Sequence, residues 1–474
     1  MTVNGTPNGT TYHLSNDVPS VLIIGAGNFG AATALSLARK GNVKVMLVDT
    51  ALYPNPRAAS HDVNKIVRDD YPDTLYMRML LKAMPMWRKD RLYSPFYHQV
   101  GMLRADPSDF GDKSMEAYEA VGIKNDSHYL SVEDVRKRWN GAFATACFDG
   151  LDKILYNPSV GFAEADKALG AVVQAAVDHG VNYVVGEMTR LTFGIRGQCT
   201  GAELKDGRVL QADKILMATG ARTGTLLAQS APKNKKLHVG DRLLATGAVS
   251  FYAKLDGARK EKFEPIPVLK NCLDKVKGEG MSILPDGTIK FNCDMCFTNN
   301  VDFAATGERM SVAPDDSKYN VWTGLEFPKC FVNRARKTID GLYGDEVKDV
   351  PIKGYRMCWW ASFFISLASP RALGLTWCRD ASTPTHDFLI SPHPHCQNLF
   401  VATGGSFHGW KFLPVIGDYV VDMMKGTLPA EYADRWAWDK RGGDGHSANP
   451  TYKIAGNLEN LIEESSERRS CLLQ

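Results

Sequence analysis

The sequence predicts an α/β fold: a Rossmann-like domain joined to an α+β domain with a mainly antiparallel sheet. Three observations predict it. Residues 21–30, VLIIGAGNFG, give an apolar run and a G-x-G-x-x-G turn, and the next apolar run, VKVMLVDT, contains Asp49. Two further apolar runs end in glycine turns, VLQADKILMATGA at 209–221 and NLFVATGG at 398–405, the second leading through SFHGWKFLP into the helix pattern VIGDYVVDMMKG. Between them, residues 241–345 lose the strand–helix alternation and carry short strand and turn patterns such as LPDGTIKF.

The first unit, 21–49, reads as strand, turn, helix, strand. Gly25, Gly27 and Gly30 fill the three glycine positions, for a tight turn, close approach of backbone to a pyrophosphate, and closure of helix onto strand. Asn28 and Phe29 complete the turn, and the helix start offers N–H groups and a positive dipole end to phosphates. Asp49 lies 24 residues after Gly25, near the spacing of about 20 for an acid that holds a ribose hydroxyl. It would repel a 2′-phosphate, which disfavours NADP.

The polar segment RAASHDVNKIVRDDY (57–71) should return towards the nucleotide, and 72–90 reads as a helix with Leu75, Met79, Met84 and Trp87 on one face. HQVGMLRAD (98–106) reads as a strand. Ser131, with Glu133 and Asp134 behind it, marks a helix start. Residues 161–181 read as a helix ending at Gly180, NYVVGEMTRLTF (182–193) as one strand, and 209–221 as one strand into a glycine turn. That last strand is typical of flavoproteins that hold FAD in one extended site.

These elements predict a discontinuous nucleotide domain, 20–93, 156–235 and 386–435. A substrate domain, 94–155 and 236–385, is inserted twice, and a flexible tail covers 436–474.

Composition excludes several classes. With 474 residues, 44% hydrophobic and 23% charged, and a net charge of +3, the chain reads as an ordinary soluble protein, without a basic stripe for nucleic acid. The apolar stretch from Met357 to Ala368 is too short to span a bilayer. The polar start lacks a secretory pattern, and ten scattered cysteines fit reduced thiols. Cys293 and Cys296 form a C-x-x-C with no second pair, so two free thiols near a strand end are the simpler reading. The end lacks a peroxisomal signal, leaving the cytoplasm as the expected compartment. Cys471-Leu-Leu-Gln474 has the form of a prenylation box, with a free tail cysteine as the alternative.

Taken together, GAGNFG, SHDVNKIVR, GTIK, YRMCW with DASTPTHDFLI, and GGSFHGWKFLPVIG resemble the fungal fructosyl amino acid oxidases (amadoriases) and, more distantly, monomeric sarcosine and pipecolate oxidases, over residues 20–435. The resemblance implies an FAD-binding Rossmann-like domain of the GR2, D-amino-acid-oxidase-like type. It implies a monomeric enzyme that oxidises the C–N bond of a small secondary amine, with oxygen as acceptor and hydrogen peroxide as product. Lys290 matches the family's oxygen-activating lysine, and Lys411 the lysine that pairs with the substrate carboxylate. Lys65 and Arg68 match basic positions beside the flavin edge, with Arg68 reaching the substrate carboxylate and Arg104 a further partner for it. Ser60, Gly405, His408 and Gly409 fall in the cofactor motifs, while His61 and His408 are as readily structural as catalytic. The resemblance also implies FAD attached through a cysteine thioether.

That cysteine is ambiguous. The family pattern is broken by 20 residues, WASFFISLASPRALGLTWCR (360–379); deleting them gives YRMCWDASTPTHDFLI. The segment reads as an insertion, of the kind translated intron sequence would give. Cys358 has the matching flanking residues Tyr355, Arg356 and Trp359, and Cys378 stands ten residues before Phe388; Cys358 is favoured. Fructosyl amino acids lead as substrates, with sarcosine, pipecolate, saccharopine or an N-methylated biosynthetic intermediate as alternatives. A catalytically silent FAD-binding protein, disabled by the insertion, is the alternative of another class; a nicotinamide dehydrogenase fits least.

Overall fold

The computed structural model describes residues 11–13, 18–313, 328–357, 380–383, 385–440 and 453–462. Its first sheet has six strands in the order Asn182–Val185, Lys44–Asp49, Ser20–Ile24, Lys214–Met217, Leu399–Thr403 and Leu389–Pro392. All neighbours are parallel except the last pair. Strands with both faces covered need to be apolar throughout, and Val21, Leu22, Ile23, Ile24 and Ile215 to Met217 are buried. Helices Asn28–Lys40, Ala165–Asp178 and Ile416–Lys425 pack together beside this sheet.

A second sheet of ten strands is antiparallel for most of its width. Its centre is two long strands, Leu244–Lys254 and Thr288–Thr298, with Ile352–Met357 on one side and Gly278–Gly280 on the other. Parallel pairs occur at 102–105 with 268–271 and at 295–298 with 453–457. A small three-stranded sheet, Lys65–Val67, Gly161–Ala163 and Tyr97–His98, also lies among these elements.

The α/β class and the antiparallel second sheet match the sequence expectation, and several boundaries differ. Residues 182–193 form two strands, in different sheets, broken after Val185, where the Gly186 N–H bonds the Asp49 carbonyl. Residues 209–217 likewise divide at Ala212 and Asp213, and 97–105 divide at Gly101, which has φ +80°. The expected helix over 161–181 begins as a strand, 161–163, and is helical only from Ala165 to Asp178. Cys293 and Cys296 are free, buried thiols within the strand 288–298, Cys296 two residues before its end. The flexible tail needs correction too: residues 453–457 add a strand beside 295–298, and Leu458 is buried. The Ser131 cap is present, its hydroxyl accepting from Asp134 N.

Candidate active site

Both large sheets and the 65–67 strand face one cavity. Gly25, Gly27, Asn28, Phe29, Asp49 and Ser60 line one end, where the sequence predicts the nucleotide; Lys65, Arg68, Lys290, Gly405, His408, Gly409 and Lys411 line the rest. Residues separated by almost 400 positions in the sequence therefore share one wall.

The expected nucleotide end follows from the glycine turn. Gly25 has φ +104°, where an L side chain is strained, and an added Cβ would stand 2.4 Å from Ala218 O. Gly30 does not line the cavity; a Cβ there would lie 1.8 Å from Gly25 O, so its absence lets helix meet turn. Asp49 accepts from Ala26 N at 2.7 Å, tying the second strand's end to the turn. Ser60 Oγ accepts from Asn28 N at 2.8 Å. The N-cap residue, Gly27, supplies no side-chain cap and the first turn holds no acid, so beyond the Ser60 contact at Asn28 N the helix keeps its positive end available to an anion. Asn28 Oδ1 is buried with no hydrogen-bond partner among the described residues.

At the centre stands Asp62, a buried carboxylate ringed by cations. Lys290 Nζ lies at 2.7 Å, Arg356 Nη1 at 2.9 Å and Lys65 Nζ at 3.3 Å, and the Tyr252 hydroxyl donates at 3.3 Å. Burial alone would raise Asp62; Arg356 and Lys290 outweigh it and hold the carboxyl well below the usual range. Lys290 also donates to Asn64 O at 2.8 Å. Burial pulls its ammonium down to about 8 even though Asp62 favours the charge. Neighbouring His61 is lowered to about 4, by burial first and then by Arg356. His61 is therefore neutral at pH 7 and is absent from the cavity wall.

The turn 404–413 brings Lys411. Its Nζ donates to Tyr71 Oη at 3.1 Å and to His408 O at 3.0 Å. Burial, then Arg68, lowers its pKa well below an ordinary lysine. The turn is pinned from behind: Trp87 Nε1 donates to Lys411 O at 2.8 Å and stacks on Trp410 at 5.2 Å, and His408 stacks on Phe388 at 5.0 Å. Ser406 and Phe407 are held at φ +48° and +64°, left-handed without being glycine, a strain that persists only where the surroundings over-determine it. His408 is buried, bonded to Tyr71 and to His386 O, and pushed well below an ordinary histidine by burial and by Lys411.

Arg68 pairs with Asp70 at 3.5 Å and stands 4.4 Å over the Tyr71 ring. Arg104, expected as a carboxylate partner, instead donates to Asp106 at 2.8 Å, stacks on Phe110 at 3.5 Å and is absent from the cavity wall. Cys358 and Cys378 lie outside the described residues, as does the segment between them; the described strand ends at Met357, opposite Val249 on the wall.

Asp62 as the hub, and Glu279, Tyr71 and Tyr252, are not among the residues the sequence singles out. Asp62 stands three residues before Lys65, but its links to Lys290 and Arg356 span more than 220 positions and carry no local signal.

The chain matches the family model described as FAD dependent oxidoreductase over residues 20–423, and it belongs to that family. It is 25% identical to the L-saccharopine oxidase of Schizosaccharomyces pombe, over 88% of this chain and 93% of that protein. Among solved structures it resembles a thermally stable mutant of fructosyl peptide oxidase, with TM-score 0.75 and 26% identity over 93% of this chain and 98% of that one. It also resembles the fructosamine oxidase Amadoriase II of Aspergillus fumigatus, with TM-score 0.72 and 25% identity over 94% and 95% of the two chains. The protein is therefore an FAD-dependent amine oxidoreductase. The uncapped helix start, the partnerless Asn28 Oδ1 and the tight glycine turn fit the phosphates and amide-rich groups of that cofactor.

Proposed function

We propose that the protein oxidises a secondary amine of an amino acid, in the manner of the fructosyl amino acid oxidases. The observation that carries this reading is the cavity's combination of a glycine-turn end with three basic side chains, Lys290, Arg68 and Lys411, along one wall. Bound FAD supplies a two-electron acceptor that oxygen regenerates with release of hydrogen peroxide.

Arg68 and Lys411 bind the substrate carboxylate. Lys411 has lost much of its affinity for a proton by burial, and an incoming carboxylate restores it, so substrate charge and lysine charge enter together. Tyr71, bonded to Lys411, and His408, stacked on Phe388, fix the direction of that ammonium. The substrate carbon gives up a hydride and its nitrogen a proton; water then splits the resulting imine into a carbonyl compound and an amine. Lys290, held by Asp62 and Asn64 O, keeps a positive charge in the buried centre for the step in which oxygen accepts electrons. Cys358, directly after the strand that ends at Met357, is the residue proposed to bind FAD covalently.

Peroxide formation from fructosyl-valine, sarcosine, pipecolate and saccharopine, measured with the purified yellow protein, tests this reading. Turnover of at least one secondary amine with stoichiometric peroxide is expected; peroxide from none of them contradicts it. Saccharopine is included because a relative matched over most of the chain is named for its oxidation.

A further inference from the structure

The cavity wall carries an anion that the reading above leaves unused. Glu279 is the middle residue of the short strand Gly278–Gly280. Alternation along the strand sends its neighbours to the opposite face: a Cβ on Gly278 would lie 2.3 Å from the Thr338 side chain, and one on Gly280 1.9 Å from Tyr343 Oη. Both contacts are with the helix Lys329–Tyr343. Glu279 is thereby directed to the other side, where it and Met281 line the cavity with Lys290, Arg68 and Lys411.

The carboxylate is oriented and ionised. Its Oε1 accepts from Asn292 Nδ2 at 2.8 Å, and Asn292 is itself a wall residue. Its Oε2 lies 3.4 Å from Lys270 Nζ, which is closer to both oxygens of Asp294, at 2.7 Å each. Burial pushes Glu279 up, but Lys270 and the Asn292 hydrogen bond outweigh it and the carboxyl stands at about 2. Its field reaches both proposed carboxylate partners, favouring the charged forms of Arg68 and Lys411.

A cavity wall that sets the fixed carboxylate of Glu279 beside the basic side chains of Arg68 and Lys411 matches a molecule with both charges. We infer that Glu279 binds a primary ammonium group of the substrate, so that the substrate is an amino acid carrying, besides its carboxylate and its oxidisable secondary amine, a second, unoxidised amino group. This rests on the secondary-amine reading above and narrows its substrate class. In it, Arg68 and Lys411 take the carboxylate, Glu279 takes the primary ammonium, and the secondary amine is left for oxidation. An ionised group buried on a cavity wall is worth most to a ligand that brings the opposite charge, because little water competes there.

The test is binding to the holoenzyme under anaerobic conditions, read from the flavin absorbance. The probes are Nε-methyl-L-lysine, 6-(methylamino)hexanoate, which lacks the α-ammonium, and Nα-acetyl-Nε-methyl-L-lysine, which lacks its charge. Wild-type protein is expected to bind the first at least tenfold more tightly than either of the others. Glu279→Gln keeps an acceptor for Asn292 and is expected to abolish that preference, so that the three probes then bind within twofold of one another. Equal affinity of the wild type for all three probes, a preference that survives Glu279→Gln, or an equal loss for all three overturns the inference. A flavin that responds to none of the probes also overturns it, while peroxide from any other secondary amine leaves the oxidase reading standing. Should Glu279→Gln fail to yield yellow protein, the wild-type comparison of the charged and acetylated lysines decides alone.

Discussion

Lys290 is a cation kept where water is scarce, and Asp62 is what keeps it there. An electrostatic group aimed at developing charge is worth roughly 100- to 1000-fold in rate. Lys290→Met should lower kcat/KM for oxygen by that order while anaerobic reduction of the flavin by substrate changes little; stopped-flow measurement of the two half-reactions separates them. Because burial holds Lys290 at about 8, the charge is present below that pH and is lost above it. The wild-type kcat/KM for oxygen should therefore fall as pH rises through about 8, and Lys290→Met should remove that step. Asp62→Asn leaves Lys290, Arg356 and Lys65 without their shared counter-ion, and breaking a buried pair costs about 3–5 kcal/mol. Its melting temperature should drop, whereas an unchanged melting curve would mean that the cations find other partners. At the substrate end, Arg68→Ala should raise KM for an amino acid substrate more than it lowers kcat, as steady-state kinetics can check.

Elements explain why some of this was legible and some was not. The glycine turn, Asp49 and the 404–413 turn are local patterns, and the residues expected there at the cofactor line one cavity, except Gly30, which lies behind it, and Cys358 and Cys378, which fall outside the described residues. Strand boundaries were harder, because a glycine or a two-residue turn such as Ala212–Asp213 can send successive strands to different sheets without interrupting the apolar pattern. Arg104 looked like a ligand residue from its type alone, but Asp106 and Phe110, both close in sequence, claim it. Glu279 gave a signal only as a charged residue between two glycines, and it needs the packed helix 329–343 before that signal means anything. At this scale the close approach of helix to turn is itself testable. Gly30→Ala forces a Cβ against Gly25 O, so this variant should lose FAD or fold poorly; a yellow, equally stable protein would contradict the packing.

For the molecule as a whole, sheets from distant parts of the chain converge on one cavity, and the family covers residues 20–423. No described helix is long and apolar enough to cross a membrane. Two expectations concern residues 358–379, outside the described part. Peptide mass spectrometry of native protein should contain no peptide spanning 360–379 if the segment is translated intron sequence, and finding one would refute that origin. Acid precipitation should leave the flavin absorbance in the pellet if Cys358 binds FAD, and release it to the supernatant otherwise. The central claim, that this is an FAD-dependent oxidase of secondary amines, meets its most direct test in one absorbance experiment. Purified protein is mixed with a secondary amine substrate without oxygen, and oxygen is then admitted. Bleaching of the flavin band by the amine, followed by its return with one equivalent of hydrogen peroxide, is the predicted result. A colourless protein, or a flavin that no secondary amine bleaches, would contradict it.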